Sequence, residues 1–221
     1  LLSRGLGDVY KRQVQKQYLL LAGRPLICHA LEAFEKSCVD QIVLVVGAGE
    51  EEYVRREILA PLHLKKVCAV VPGGKERYHS VYEGLKALKG CEYVLIHDGA
   101  RPMITEQMID HIAKETVAWK ACVAGMPVKD TIKVAKDGVV QATPDRSALF
   151  AVQTPQVFEI GLIQGALAHA LEEGAVLTDD CSAVERIGFP VCLTQGSEDN
   201  LKITTPRDLT WGEAILAERM R

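Results

Sequence analysis

From about Arg24 onward, short runs of β-branched residues alternate with amphipathic stretches. That alternation restricts the chain to parallel strands joined by covering helices, because strands buried on both faces read as continuous apolar runs. Gln41 to Val46 reads as a buried strand, Glu51 to Leu59 as a helix, and Val67 to Val71 as the next strand, stopped by Pro72-Gly73-Gly74. Glu76 to Lys89 places Val81, Leu85 and Leu88 at helical spacing, and Tyr93 to His97 forms a third strand. Thr105 is positioned to cap a helix running to about Ala118, followed by a strand near Ala121 to Met126. Two alternating runs between Thr131 and Thr143 flank Asp137-Gly138, a strong hairpin signal, and predict a projecting β-arm. Helices over Ile160 to Glu173 and Asp179 to Ile187, strands at Val191 to Leu193 and Asn200 to Ile203, and a helix from Pro206 complete the pattern.

At 221 residues the chain fits a single α/β domain. With 48% hydrophobic and 25% charged residues it has the composition of an ordinary globular protein. A formal charge of -3 excludes the electrostatic footprint of a nucleic-acid binder, so any anionic ligand has to be held locally. The seven cysteines are odd in number and lack zinc-ligand spacing, which predicts reduced thiols in a reducing compartment. The apolar runs are too short to span a bilayer and no signal peptide is recognisable, so a cytoplasmic location and no membrane partner are expected.

In open parallel sheets, ligands bind beyond the carboxyl ends of the strands. The loop Gly73-Gly74-Lys75-Glu76-Arg77 enters a helix there, where backbone N–H groups can hold a phosphate or a base edge, although a Gly-Gly pair is also an ordinary tight turn. In the loop from Asp98 to Pro102, Asp98 can ligate Mg²⁺ and Arg101 can clamp a phosphate; alternatively the two form a turn and its ion pair. His97 is expected to pack or hydrogen-bond at the strand end. Lys202 alternates with Leu201 and Ile203, which predicts a strand lysine facing a cleft.

The segments together resemble the 2-C-methyl-D-erythritol 4-phosphate cytidylyltransferases from roughly Gln15 to the C-terminus. The resemblance rests on Lys16-Gln17-Tyr18-Leu19 with Ala22-Gly23-Arg24-Pro25-Leu26, Gly73 through Arg77 with Ser80, and His97-Asp98-Gly99-Ala100-Arg101-Pro102. It continues through Pro127 to Thr131, Asp145-Arg146, Gln153-Thr154-Pro155-Gln156, Thr178-Asp179-Asp180 and Asp199 to Thr204. The resemblance implies a Rossmann-like, mostly parallel sheet of the nucleotide-diphospho-sugar transferase type, and a homodimer built through an arm at about 128–155. It implies transfer of CMP from CTP to methylerythritol phosphate with Mg²⁺. Lys16 and Lys202 would be catalytic; Gly73, Gly74, Lys75, Ser80, Asp98, Gly99 and Lys202 would bind nucleotide. Arg101, Thr131, Arg146, Thr154 and Thr178 would bind the acceptor, and Asp98 the metal.

The family normally opens with a strand and a loop of the kind Pro-Ala-Ala-Gly-x-Gly-x-Arg-Met, and residues 1–14 carry neither. These residues, with no opening Met, are expected to be foreign to the fold, leaving the chain without its first, central strand and its phosphate loop. Lys75 replaces an often acidic residue and Gly99 an alanine, which leaves base recognition less firmly assigned than Asp98 and Lys202. Rival readings are a ribitol-5-phosphate cytidylyltransferase, disfavoured by Thr131, Arg146, Thr154 and Thr178, and a non-catalytic dimerising remnant. A Rossmann dehydrogenase lacks its G-x-G-x-x-G after a first strand.

Overall fold

The computed structural model describes residues 2–3 and 16–221, with side chains from Gln17 onward. The strands are β1 (Leu2–Ser3), β2 (Leu20–Leu21), β3 (Arg24–Pro25), β4 (Ile42–Val46), β5 (Val67–Pro72), β6 (Tyr93–Asp98) and β7 (Ala121–Pro127). They continue with β8 (Val134–Lys136), β9 (Val139–Ala142), β10 (Phe150–Glu159) and β11 (Cys192–Gln195). The helices are α1 (Leu26–Lys36), α2 (Glu51–Tyr53), α3 (Arg77–Ala87), α4 (Glu106–Trp119), α5 (Ile160–Glu172), α6 (Asp180–Arg186) and α7 (Pro206–Arg219). Beyond α2 the helical path carries on as a π-helix over Val54–Leu59 and a 3₁₀ turn over Ala60–Leu62.

A seven-stranded sheet runs in the order β11-β7-β10-β6-β1-β4-β5. Every pairing in it is parallel except those of β10, which lies antiparallel to both β6 and β7. Residues of β4 alternate between two cores: Ile42, Leu44 and Val46 pack with Leu31 and Phe34 of α1 and with Ile109 and Ile112 of α4. Val43 and Val45 face the opposite side, with Val81 and Leu85 of α3 and the α5 residues Ile163 and Leu167. Two covered faces explain the unbroken apolar run of β4, since both orientations of side chain are dry.

Three sequence expectations change. The first, central strand is not lacking: Leu2 pairs in parallel with Leu44 on one side and His97 on the other, and Ser3 with Asp98. The family's phosphate loop, expected to be missing, would fall on residues 4–15, outside the described residues. Asn200 to Ile203 is not a strand; it is an irregular segment tied to the sheet by the bond from Ile203 N–H to the carbonyl of Ala100 (2.8 Å). Strand β10 has no counterpart in the sequence reading, because Pro155 interrupts it where its register with β7 shifts between Val152 and Gln156.

The Asp-Gly hairpin forms from β8 and β9, with Asp137 (φ 50°) and Gly138 (φ 78°) both left-handed, as a two-residue turn of matching twist requires. Thr105 caps α4 by accepting from the N–H of Met108.

Phe158, fully buried on β10 among Val123, Ile163 and Leu167, is a large side chain whose removal leaves a cavity between sheet and helices. Phe158→Ala is expected to cost about 3–5 kcal/mol. Chemical denaturation checks this, and a loss under about 1 kcal/mol would contradict the packing.

Candidate active site

The loops at the carboxyl ends of β5 and β6 converge on Asp98, the last residue of β6 and only 3% exposed. Burial alone would raise the pKa of its carboxyl, but Arg77 and Lys202 outweigh burial and hold it at about 2. Arg77 Nε donates to Oδ1 at 3.3 Å and Lys202 Nζ donates to Oδ2. Lys202 reaches this carboxylate because Ile203 is fastened to Ala100, in the turn that follows β6.

Behind Asp98 lies a dry polar chain. The Asp98 N–H donates to Thr154 Oγ1 (3.1 Å), and His97 Nδ1 is 3.1 Å from the same hydroxyl. His97 Nε2 lies 3.0 Å from the carbonyl of Arg101, which can only accept, so Nε2 carries the proton and Nδ1 accepts from Thr154. Burial lowers the pKa of His97 to about 4 and keeps the ring neutral, which matches that assignment. Arg101 donates through Nη1 to the carbonyl of Asn200 (2.6 Å), and its Nε is buried without a hydrogen-bond partner among the described residues. Asn200, itself buried, donates from Nδ2 to the carbonyl of Thr154 (2.8 Å).

The glycine loop is shaped by close approach. A Cβ on Gly73 would lie 2.7 Å from Ser80 Oγ and 3.2 Å from the carbonyl of Val46, and one on Gly74 would lie 2.5 Å from the Cβ of His79. Glycine is therefore needed at both positions. Ser80, buried in the first turns of α3, accepts from the Gly74 N–H at 3.1 Å and so fixes the loop. Lys75 and Gly74 are exposed, whereas Gly99 is buried in the turn after Asp98.

Arg77 was part of the sequence motif but received no role. Its fork grips Asp180 with Nη1–Oδ1 at 2.8 Å and Nη2–Oδ2 at 2.7 Å. Burial opposes the charge on Arg77, but Asp180 and Asp98 outweigh it and raise its pKa; Asp180 is raised by burial against the pull of Arg77. No local signal in the sequence links two residues 103 positions apart.

Asp98, Arg101, Thr154 and Lys202 thus share one network. Thr154 spends its hydroxyl on Asp98 and His97 from a buried position, so the structure gives it the work of holding Asp98. No hydrogen bond among the described residues ties Thr131 or Arg146 to this network. Both are exposed near the hairpin, and Arg146 donates to the carbonyl of Lys129 at 2.8 Å. Thr178 is exposed in the loop before α6. Lys16 begins a 3₁₀ turn, Lys16–Tyr18, and its ammonium lies outside the described side chains.

No group of three His, Cys, Asp or Glu residues able to hold a metal occurs among the described residues. The donor set nevertheless fits Mg²⁺, which takes one or two carboxylates and completes its shell with substrate phosphates; Asp98 is the ionised carboxylate at hand. A cleft of about 880 Å³ lies at the opposite, N-terminal ends of β4 and β6, lined by Phe34, Ile42, Tyr93 and Val117 among others. Asp40, Glu92, Asp110 and Lys114 also line it, but its position at the N-terminal edge of a parallel sheet argues against chemistry there.

Thr154→Val keeps the side-chain volume and leaves the buried Asp98 N–H without an acceptor. It is expected to destabilise the protein by about 1–3 kcal/mol while Thr154→Ser does not; equal denaturation midpoints for the three proteins would refute the hydrogen bond.

Comparison with known proteins agrees with this geometry. The family model described as 2-C-methyl-D-erythritol 4-phosphate cytidylyltransferase matches residues 1–218, so the match extends upstream of Gln15. A relative of that description from Desulforamulus reducens is 48% identical over 98% of this chain and 94% of its own length. Another, from Lachnoclostridium phytofermentans, is 45% identical with the same coverage. Among solved structures, 4-diphosphocytidyl-2C-methyl-D-erythritol synthase from Anaerococcus prevotii superposes with a TM-score of 0.83 at 30% identity, covering 92% of this chain and 90% of its own. The Thermus thermophilus cytidylyltransferase gives a TM-score of 0.78 at 31% identity, covering 91% and 94%. With its sheet, its charged loop edge and these relatives, the chain belongs to the 2-C-methyl-D-erythritol 4-phosphate cytidylyltransferase family.

Proposed function

We propose that this protein transfers CMP from CTP to 2-C-methyl-D-erythritol 4-phosphate, giving 4-diphosphocytidyl-2-C-methyl-D-erythritol and pyrophosphate, a step of non-mevalonate isoprenoid precursor synthesis. The observation that carries the reading is the ionised Asp98 with Lys202 beside it at the carboxyl edge of the sheet, in a chain of this family.

An oxygen of the acceptor phosphate, ionised near neutral pH, attacks the α-phosphorus of CTP in line. The bond to the bridging oxygen breaks and pyrophosphate leaves with that electron pair. The attacking oxygen bears no proton, so no general base is required. The protein's task is to hold two mutually repelling anions together and to offset the charge of the transition state. Lys202 supplies a cation with 39% of its side chain open to solvent, and Lys16 is assigned the same duty at the α-phosphate. Gly73, Gly74, Lys75, Ser80 and Gly99 are assigned to the nucleotide; Ser80 keeps the loop N–H groups in one arrangement. Arg101, whose Nε has no partner among the described residues, is assigned to the acceptor phosphate along with Thr131, Arg146 and Thr178, while Thr154 assists through Asp98. Asp98 would hold Mg²⁺ with the triphosphate oxygens, and the ion would supply further charge compensation.

A homodimer through the hairpin region is part of the proposal. Ile132, Val134, Val139, Val140, Phe150 and Val152 are all exposed there, an apolar concentration that a lone subunit leaves in water. No helix among the described residues is long and apolar enough to cross a membrane, and a cytoplasmic site of action is proposed with it.

Pyrophosphate release from CTP, Mg²⁺ and methylerythritol phosphate tests the reading; preferential turnover of ribitol 5-phosphate, or none with either acceptor, would overturn it. Lys202→Ala and Lys16→Ala are each expected to lower turnover roughly a hundredfold, the scale of about 3 kcal/mol for one preorganised charge contact. Unchanged turnover in either purified variant removes that lysine from catalysis.

A further inference from the structure

Asp180 is a fully buried carboxylate that the proposed reaction does not use. Its place in the fold is specific. It is the first residue of α6, two positions after Thr178, and its only cationic partner among the described residues is Arg77, the first residue of α3, immediately after the glycine loop. The guanidinium presents its two-pronged edge to Asp180 at 2.7 and 2.8 Å and turns Nε to Asp98 at 3.3 Å. One rigid, planar group therefore touches the start of the nucleotide loop's helix, the carboxylate at the reaction centre and the start of the helix after the acceptor loop.

Both ends of this connection are packed into one core. Helix α3 has eleven residues and buries Val81 and Leu85 in the core, and α6 buries Cys181, Ala183 and Val184 in the same one. Helix α6 has seven residues, and its first turn is set by polar contacts: Gln156 Oε1 accepts from the N–H groups of Asp180 (2.9 Å) and Cys181 (3.1 Å), and Gln156 Nε2 donates to Asp179 (2.8 Å). A fork-to-fork pair fixes orientation as well as distance, because both parallel bonds are lost on rotation. A displacement of the glycine loop at the start of α3 would therefore act, through Arg77, on the first turn of α6 and the loop carrying Thr178.

We propose that the Arg77–Asp180 pair is a latch through which the nucleotide loop positions the acceptor loop, making both positioning residues rather than catalytic ones. The proposal rests on the reading that Gly73 to Ser80 bind CTP and that Thr178 borders the acceptor.

Hydrogen exchange with and without CTP tests it, together with KM for each substrate. In the unaltered protein, CTP is expected to slow exchange at residues 73–80 and also at 177–181. Asp180→Asn leaves a buried cation uncompensated and can fail to fold, so the charge-balanced variant Arg77→Gln/Asp180→Asn is the decisive one. In it, CTP is expected to protect 73–80 still and 177–181 no longer. The KM for methylerythritol phosphate should rise fivefold or more, and by a larger factor than that for CTP, which registers only the loss of Arg77 from Asp98. A structural role alone would be restored by the balanced charges, so wild-type protection and KM values in this variant overturn the latch, as does a wild-type protein in which CTP protects 73–80 alone. Absence of protection at 73–80 would instead sink the nucleotide assignment, and Thr178→Val with an unchanged acceptor KM would sink the acceptor assignment.

Discussion

A carboxylate at 3% exposure has to be matched by positive charge or give up its own, and Asp98 keeps its charge. Its partners arrive from 21 residues upstream and 104 residues downstream. Arg77 brings Asp180 with it, so the group contains two cations and two anions and is balanced as a unit. This requirement brings the starts of α3 and α6 and the segment around Lys202 together at one place. It also bears on why that segment need not be a strand: the Lys202–Asp98 ion pair, the bond from Ile203 to Ala100 and the bonds of Asn200 with Arg101 and Thr154 hold it where a ladder would have.

The parts of the fold visible in the sequence are those written in local chemistry. Ile42 to Val46 is a run of apolar residues that no exposed element would carry, Thr105 is a cap before a periodic segment, and Asp137-Gly138 is suited to a left-handed turn. Strand β10 escaped because Gln153, Thr154, Pro155 and Gln156 look like a loop. Their polar side chains are instead satisfied at long range: Thr154 by Asp98 and His97, and Gln156 by the first turn of α6. A strand that spends its side chains on the functional edge loses the alternation that would announce it.

The site was legible by a different route. Asp98 and Lys202 stand out through their neighbours, a buried strand end and two flanking apolar residues, and they do meet. Arg77, Asp180 and Asn200 carry as much of the geometry, but each is one polar residue at a helix start or in a loop. Their partners lie 103 residues apart for Arg77 and Asp180, and 46 for Asn200 and Thr154, distances at which sequence pattern has no reach. Thr154 is a case of the same origin: its place in a motif singles it out, and only the structure shows its hydroxyl engaged behind Asp98.

The two cations on Asp98 are of different kinds, and the difference suits their duties. Arg77 has 19% of its side chain exposed and is held by three directed bonds, so moving it would break all of them and leave Asp180 buried alone. Lys202 is 39% exposed and makes a single contact through a flexible stem. An ammonium is a point charge that exchanges one oxygen for another with little change of orientation, whereas a guanidinium in a fork-to-fork pair does not. In the proposed reaction, Arg77 would therefore keep Asp98 ionised and in place while Lys202 turned toward an arriving phosphate. If the residue types were reversed, the fixed position would hold a cation without a fork and the moving one a cation that resists moving.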